Sequence, residues 1–287
     1  MIRLFLTASL FLICFSINAQ VLKTTNLNLN TNGRIYDVAY ISSANAYVVV
    51  GEFTSINNTP RKNLAYINAS FFNVLTSPDP ILSIDGAIRS VEYKNIGTNH
   101  YMVIGGEFNS INGQPRESMA LFYHSGTLGV SDLSSFSIND WNYFMQNGGG
   151  NYDNGVFDLS ISGDTLLVAG EFEGMNLGVY IPSVCDVIED NLLALRLTTS
   201  PNSILAVLNS APQSFTSFDV GVVSLLKAAN NYFIGSQNFP INNGGVSASI
   251  QRRSINLSLN GTFTASAGNR HGFHSLKQLN DTLLIAT

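Results

Sequence analysis

Short apolar runs recur along the chain, each leading into a glycine, an acid and a phenylalanine. Tyr47-Val48-Val49-Val50 runs into Gly51-Glu52-Phe53, Met102-Val103-Ile104-Gly105 into Gly106-Glu107-Phe108, and Leu166-Leu167-Val168-Ala169 into Gly170-Glu171-Phe172. These runs do not alternate apolar with polar positions, which predicts strands buried on both faces. The closing glycine predicts a bulge or a close approach of two backbones. Upstream, 33–41, 86–93, 155–161 and 221–226 carry the pattern of a preceding strand, and 63–67 and 118–122 that of a following one. Asn57-Asn58-Thr59-Pro60 and Asn112-Gly113-Gln114-Pro115 are turn sequences, because Asn and Gly tolerate positive φ and Pro fixes its own. No convincing 3.6-residue apolar period extends over ten residues, so the chain reads as all-β.

The runs belong to repeats. The first two copies continue alike, as Thr59-Pro60-Arg61-Lys62-Asn63-Leu64-Ala65 and Gln114-Pro115-Arg116-Glu117-Ser118-Met119-Ala120. A fourth copy is worn (Tyr232-Phe233-Ile234-Gly235), and a fifth opens as Asp281-Thr282-Leu283-Leu284-Ile285-Ala286. Equivalent positions are 55, 64, 66 and 51 residues apart (Glu52 to Glu107, Glu107 to Glu171, Glu171 to Gln237, Ser236 to Thr287). Such periods fit one four-stranded propeller blade per repeat, the longer ones carrying loop insertions. The expectation is a single β-propeller repeat domain over 20–287, with about five blades of roughly 50–65 residues. The last blade is incomplete, and the chain is expected to be truncated at its C terminus. Phe53, Phe108 and Phe172 are expected to fill the space between blades.

Apolar residues make up 45% of the 287 residues and charged residues only 11%. That is too apolar for disorder, and amides and hydroxyls must supply much of the surface. A net charge of −5 without clustered Lys and Arg excludes a nucleic-acid surface.

The first residues change the expected address. Arg3 precedes an apolar stretch over 4–15, and 16–20 turn small and polar, with cleavage expected after Ala19. Residues 1–19 therefore read as a secretory signal peptide, too short to cross a ~30 Å hydrocarbon layer as a helix. No transmembrane segment is expected in the mature chain. Cleavage would remove Cys14 and leave Cys185 alone, so no intramolecular disulfide can form. A lone cysteine beside Val184 reads as a small buried hydrophobe.

Gly105-Gly106-Glu107-Phe108-Asn109-Ser110-Ile111-Asn112-Gly113-Gln114-Pro115-Arg116 resembles the delta-60 repeat of secreted bacterial β-propeller proteins. The third copy loses the Pro-Arg segment, and the last two are partial. The sequence Asn18-Ala19-Gln20 and the Asn-rich composition resemble exported proteins of the Bacteroidetes group. The resemblance implies a propeller-like scaffold and no particular reaction.

Glu52, Glu107 and Glu171 are the tempting acids, since paired carboxylates hydrolyse glycosides. A catalytic pair needs two different environments, whereas these recur at one place in successive repeats. With Gly51, Gly106, Gly170, Phe53, Phe108, Phe172, Arg61 and Arg116 they read as repeat-structural, an ion pair between a repeated Glu and a repeated Arg being one use of both. No catalytic residue and no metal site is expected. The Gly-rich loop 147–155 is preceded by Trp141 and Tyr143; with Asn151, Tyr152 and Asp153 they form the candidate ligand-binding set. Its aromatics suit stacking on a sugar ring. Its oxygen spacing makes calcium a weak possibility, without the EF-hand pattern, and no other cofactor is implied. His271 and His274 lack a neighbouring Cys or carboxylate cluster for zinc.

The reading that follows is a secreted, non-catalytic scaffold at the cell surface whose partner is an extracellular glycan or protein. The alternatives are an extracellular glycan lyase or hydrolase with its site in the propeller funnel, and a structural spacer of a larger adhesin. Oligomerisation or further C-terminal domains are compatible with all three.

Overall fold

The computed structural model describes residues 29–76, 83–135, 137–138, 143–146, 155–172, 174–177, 187–188, 192–197, 206–210, 220–228, 231–238, 247–254, 259–266, 275–279 and 282–286. The expected signal peptide, 1–19, lies outside them. The described residues form strands and two short 3-10 turns, Ser42–Ala44 and Val130–Ser135. The all-β expectation holds. No helix among them is long and apolar enough to cross a membrane.

The strands fall into successive small sheets in chain order. The first sheet takes β1 (Arg34–Ile41), β2 (Ala46–Glu52) and, after the small hairpin β3 (Ser55–Ile56) and β4 (Thr59–Pro60), β5 (Leu64–Asn68). The second takes β6 (Ile88–Ile96), β7 (Asn99–Gly106), then past the hairpin β8 (Ser110–Ile111) and β9 (Gln114–Pro115), β10 (Met119–Ser125) and β11 (Ser137–Ile138). β12 (Tyr143–Gln146) precedes the third sheet, which consists of β13 (Gly155–Ser162), β14 (Thr165–Glu171), β17 (Leu192–Arg196) and β18 (Ala206–Ser210). Between β14 and β17, β15 (Gly174–Leu177) and β16 (Val187–Ile188) form a side sheet with β12. The fourth sheet is β19 (Val220–Ala228), β20 (Asn231–Asn238), β21 (Ser247–Ser254) and β22 (Leu259–Ser266), and the fifth is the pair β23 (Ser275–Leu279) and β24 (Thr282–Ala286). All neighbours pair antiparallel, so each main sheet is an up-and-down meander with its first strand on one edge.

The first strands gather in chain order, β1 against β6, β6 against β13, β13 against β19 and β19 against β23. Each sheet thus has a face toward the preceding sheet (leading) and one toward the following sheet (trailing). Between the first two lies an apolar layer that includes Val48, Val50, Leu64, Tyr66, Val91, Ile104 and Phe108. Val103, Leu121, Leu159, Val168, Phe172 and Leu193 belong to the next layer, and Leu167, Ala169, Leu192, Leu225 and Ile234 to the one after. Consecutive residues such as Val48, Val49 and Val50 are all buried, as a strand covered on both faces requires. Phe108 and Phe172 fill layers between sheets, as expected. Phe53 packs with Val49, Ile56, Ala65, Ile67 and Val74 on the leading face of the first sheet.

The small hairpins follow from their turn residues. Asn57 and Asn58 have φ of 48° and 59°, and Asn112 and Gly113 of 51° and 73°. Two successive positive φ values match the right-handed twist of a two-residue hairpin, which Asn and Gly adopt most cheaply. Asn32 Oδ1 accepts the Thr54 and Ser55 N–H groups, and Asp85 Oδ1 accepts those of Asn109 and Ser110, so each hairpin is tied to the segment before its sheet. The Asp85 carboxyl is held below its usual pKa; burial opposes this, but the Ser110 and Asn109 N–H groups and the Ser110 hydroxyl outweigh it.

Candidate functional site

The repeated glycines set the geometry of the first strands. Pairing slips by one residue at Tyr36, Arg89, Phe157 and Val223, each a bulge opposite the end of the second strand. A Cβ at Gly51, Gly106 or Gly170 would collide with the carbonyl of Arg34, Ala87 or Gly155 respectively. Only glycine admits so close a backbone approach beside the bulge. The expected close approach is there, and the extra residue sits on the partner strand.

The residue after each of the first three bulges reaches toward the next sheet. Asp37, Ser90, Asp158 and Ser224 share this register position, facing Val50, Gly105, Ala169 and Gly235. Asp37 Oδ2 accepts the Val91 N–H at 2.9 Å, Ser90 Oγ accepts the Leu159 N–H at 3.1 Å, and Asp158 Oδ2 accepts the Leu225 N–H at 2.6 Å. The same step is taken three times, from a side chain of one sheet to the main chain of the next. Asp37 and Asp158 also accept the N–H of the residue that follows them, Val38 at 2.8 Å and Leu159 at 2.9 Å. The Ser90 hydroxyl lies between the two acids, 3.1 Å from Asp37 Oδ2 and 3.3 Å from Asp158 Oδ1. It has one proton to donate, so full bonding to both acids at once requires one of them to be protonated.

Glu92, two residues beyond Ser90 on the same face, adds a third acid. Burial pushes its carboxyl up to about 8, and the charges of Asp37 and Asp158 add to the rise; a hydrogen bond from the Ile161 N–H and the charge of Lys94 oppose it. Asp158 is pushed up to about 7, chiefly by burial and further by Asp37, against the Leu225 and Leu159 N–H groups and the Ser90 hydroxyl. These two acids titrate near neutrality.

The repeated glutamates serve a different contact. Glu107 Oε1 pairs with Arg89, at 2.7 Å from Nε and 2.5 Å from Nη2, and Glu52 Oε2 accepts the Tyr36 hydroxyl at 3.2 Å. Tyr36 and Arg89 are the two bulge residues, and the Arg89 guanidinium stacks 4.3 Å from the Tyr36 ring centre. One row, Glu52–Tyr36–Arg89–Glu107, therefore crosses from the first sheet to the second. Arg61 and Arg116 are buried and turn inward: Arg61 donates to the Pro60 and Leu75 carbonyls at 2.7 and 3.0 Å, and Arg116 to the Pro115 carbonyl at 2.6 Å. The partner found for Glu107 is the bulge arginine, which the expected pairing with a repeated Arg had overlooked.

Glu171 closes β14 opposite Gly155, at the same register place as Glu52 opposite Arg34. Of the expected ligand-binding set, Tyr143 lies at the start of β12 opposite Leu177. Trp141, Asn151, Tyr152 and Asp153 lie outside the described residues, and so do most of the Gly-rich loop considered for calcium and the histidines at 271 and 274. Among the described residues no group of three His, Cys, Asp or Glu side chains is placed to hold a metal ion. Sequence reasoning missed the Asp/Ser position. Its signal was a small polar residue directly before Val or Leu in each first strand: Asp37-Val38, Ser90-Val91, Asp158-Leu159, Ser224-Leu225 and Ser275-Leu276.

No protein-family model matches the chain, and no curated protein does either.

Proposed function

We propose that this chain is a secreted, non-catalytic β-propeller scaffold whose loops bind a glycan or a protein at the cell surface. Successive antiparallel meanders, joined edge to edge through their first strands, support the propeller reading. The observation that carries the scaffold reading is the commitment of the acids. Asp37 and Asp158 hold backbone N–H groups of neighbouring sheets, and Glu52 and Glu107 hold the bulge residues. Binding then falls to loops that do not repeat, of which the one around Trp141 and Tyr152 is richest in aromatics and amides. The test is a glycan-array screen of the exported chain beside its Trp141→Ala variant. Retention of a glycan class that is lost with the indole supports the reading, and retention that ignores the substitution moves the site elsewhere.

A second reading, a glycan lyase or hydrolase, draws on Glu92 and Asp158, since a carboxyl neutral near pH 7 is what a general acid requires. Release of reducing ends from a polysaccharide, abolished in Glu92→Gln, would favour it over the scaffold.

A further inference from the structure

The seam between the second and third sheets is closed differently from its neighbours. Asp37 closes the seam before it by accepting the Val91 N–H, and Asp158 the seam after it by accepting the Leu225 N–H. Between them a hydroxyl takes the part of the acid, since the Leu159 N–H donates to Ser90 Oγ at 3.1 Å. A hydroxyl has one proton and two lone pairs. One lone pair is used by Leu159, and two carboxylates meet what is left, Asp37 Oδ2 at 3.1 Å and Asp158 Oδ1 at 3.3 Å. With both acids ionised, the hydroxyl proton serves one of them and the other oxygen faces a lone pair. With a proton on Asp158 every group is used: Asp158 donates to Ser90 Oγ, and the Ser90 hydroxyl donates to Asp37 Oδ2.

Burial makes Asp158 the seat of that proton, its carboxyl being pushed up to about 7. When the proton leaves, Ser90 keeps its bond to Asp37 and turns a lone pair toward Asp158, so the strain falls on the second seam. An ionised Asp158 meanwhile holds the Leu225 N–H more strongly. Glu92 acts across the same seam, accepting the Ile161 N–H from β13 with a carboxyl raised to about 8. Ionisation therefore sets Glu92 on β6 against Asp158 on β13, with Asp37 of β1 close to both. Among the described residues little offsets these charges. Lys94 on β6 favours an ionised Glu92, Glu107 beside Gly155 is paired with Arg89, and Lys227 on β19 donates to Ser162 at the end of β13. β7 and β10 add the phenols of Tyr101 and Tyr123, and β2 and β14 contribute apolar residues, Val50 and Val168 among them.

We propose that the seam between β6 and β13 is a proton-operated joint, closed while Asp158 and Ser90 share a proton and loosened when it leaves, with the seams on either side held. The joint changes how two sheets meet and leaves the strand pairing within each sheet intact, which separates it from a uniform loss of stability. It stands apart from the ligand named above, so glycan binding and the joint can fail independently.

Amide hydrogen exchange of the full chain at about pH 6 and about pH 8.5, corrected for the intrinsic exchange rate at each pH, tests it. Protection of the Leu159 and Ile161 N–H groups is expected to fall at least about tenfold further than that of Val91 and Leu225. A fall shared equally by all four amides, or no fall at any of them, overturns the proposal. In the double variant Glu92→Gln, Asp158→Asn, amides of the same shape replace both acids, and the extra loss at Leu159 and Ile161 is expected to shrink to less than about twofold. A double variant that keeps the tenfold gap also overturns it.

Discussion

The backbone N–H of Leu225 donates to Asp158 Oδ2 at 2.6 Å, so an acid of the third sheet is fastened to the main chain of the fourth. Asp158→Ala removes this acceptor, while the Leu159 N–H keeps Ser90 Oγ, and a buried N–H left unmet costs about 1–3 kcal/mol. The expected loss is about 2 kcal/mol, part of the penalty being offset by release of a desolvated carboxyl. Asp158→Ser is expected to cost less than half of that, because serine fills the same position at 90 and 224. Urea unfolding midpoints of the two variants decide the order.

Stability is expected to fall as pH rises toward mildly alkaline values. Glu92 and Asp158 bind protons more tightly in the folded chain, with pKa values near 8 and 7, than unfolded carboxyls do. Their stabilising share is complete below about pH 4 and is lost as pH climbs through those folded values. Asp37 and Asp158 face Glu92 and sharpen the loss, while Lys94 softens it. Urea midpoints at about pH 5 and about pH 8.5 should differ in that direction, and Glu92→Gln should reduce the difference. An unchanged slope in the variant would place the titrating group elsewhere.

The repeated glycine is expected to matter more than the repeated glutamate beside it. Gly106→Ala drives a methyl into the Ala87 carbonyl, a backbone clash that no rotamer relieves, and should cost more than about 2 kcal/mol. Glu107→Gln weakens a partly exposed ion pair with Arg89, worth about 0.2–1 kcal/mol. Thermal melts of both variants rank them, and a larger loss from Glu107→Gln would assign the acid a role beyond this pair.

The two small hairpins offer a gain. Asn58 sits at φ 59° where the second copy has Gly113 at φ 73°. Asn58→Gly is expected to add about 0.5 kcal/mol, since glycine enters positive φ without steric cost. A higher melting temperature with the same strand content checks it.

Strand order and the buried runs were legible because Val48 to Val50 and Leu166 to Ala169 announce themselves by composition alone. The turns at Asn57 and Asn112 were legible for a similar reason, positive φ being written in Asn and Gly. The Asp/Ser rungs were not. Asp and Ser share little as letters, and what unites 37, 90 and 158 is an acceptor placed one residue after a bulge, a property of register. Glu92 has no counterpart in the other copies, so a search by repetition passes over it. Its raised pKa comes from acids in the first and third sheets, which only packing brings near.

Because each rung is an acceptor aimed at whichever backbone N–H comes next, its hydrogen bond reads main chain and not side-chain identity. The apolar fit is particular to each pair of sheets: a Cβ at Gly105 would run into the Val156 side chain, whereas Val50 and Ala169 hold the equivalent place in their own sheets. As far as the rung itself is concerned, side chains of the sheet that supplies the N–H can change without its loss, provided the backbone keeps its place. Loops between strands are then free to diverge sheet by sheet, as the long insertion after β14 already has.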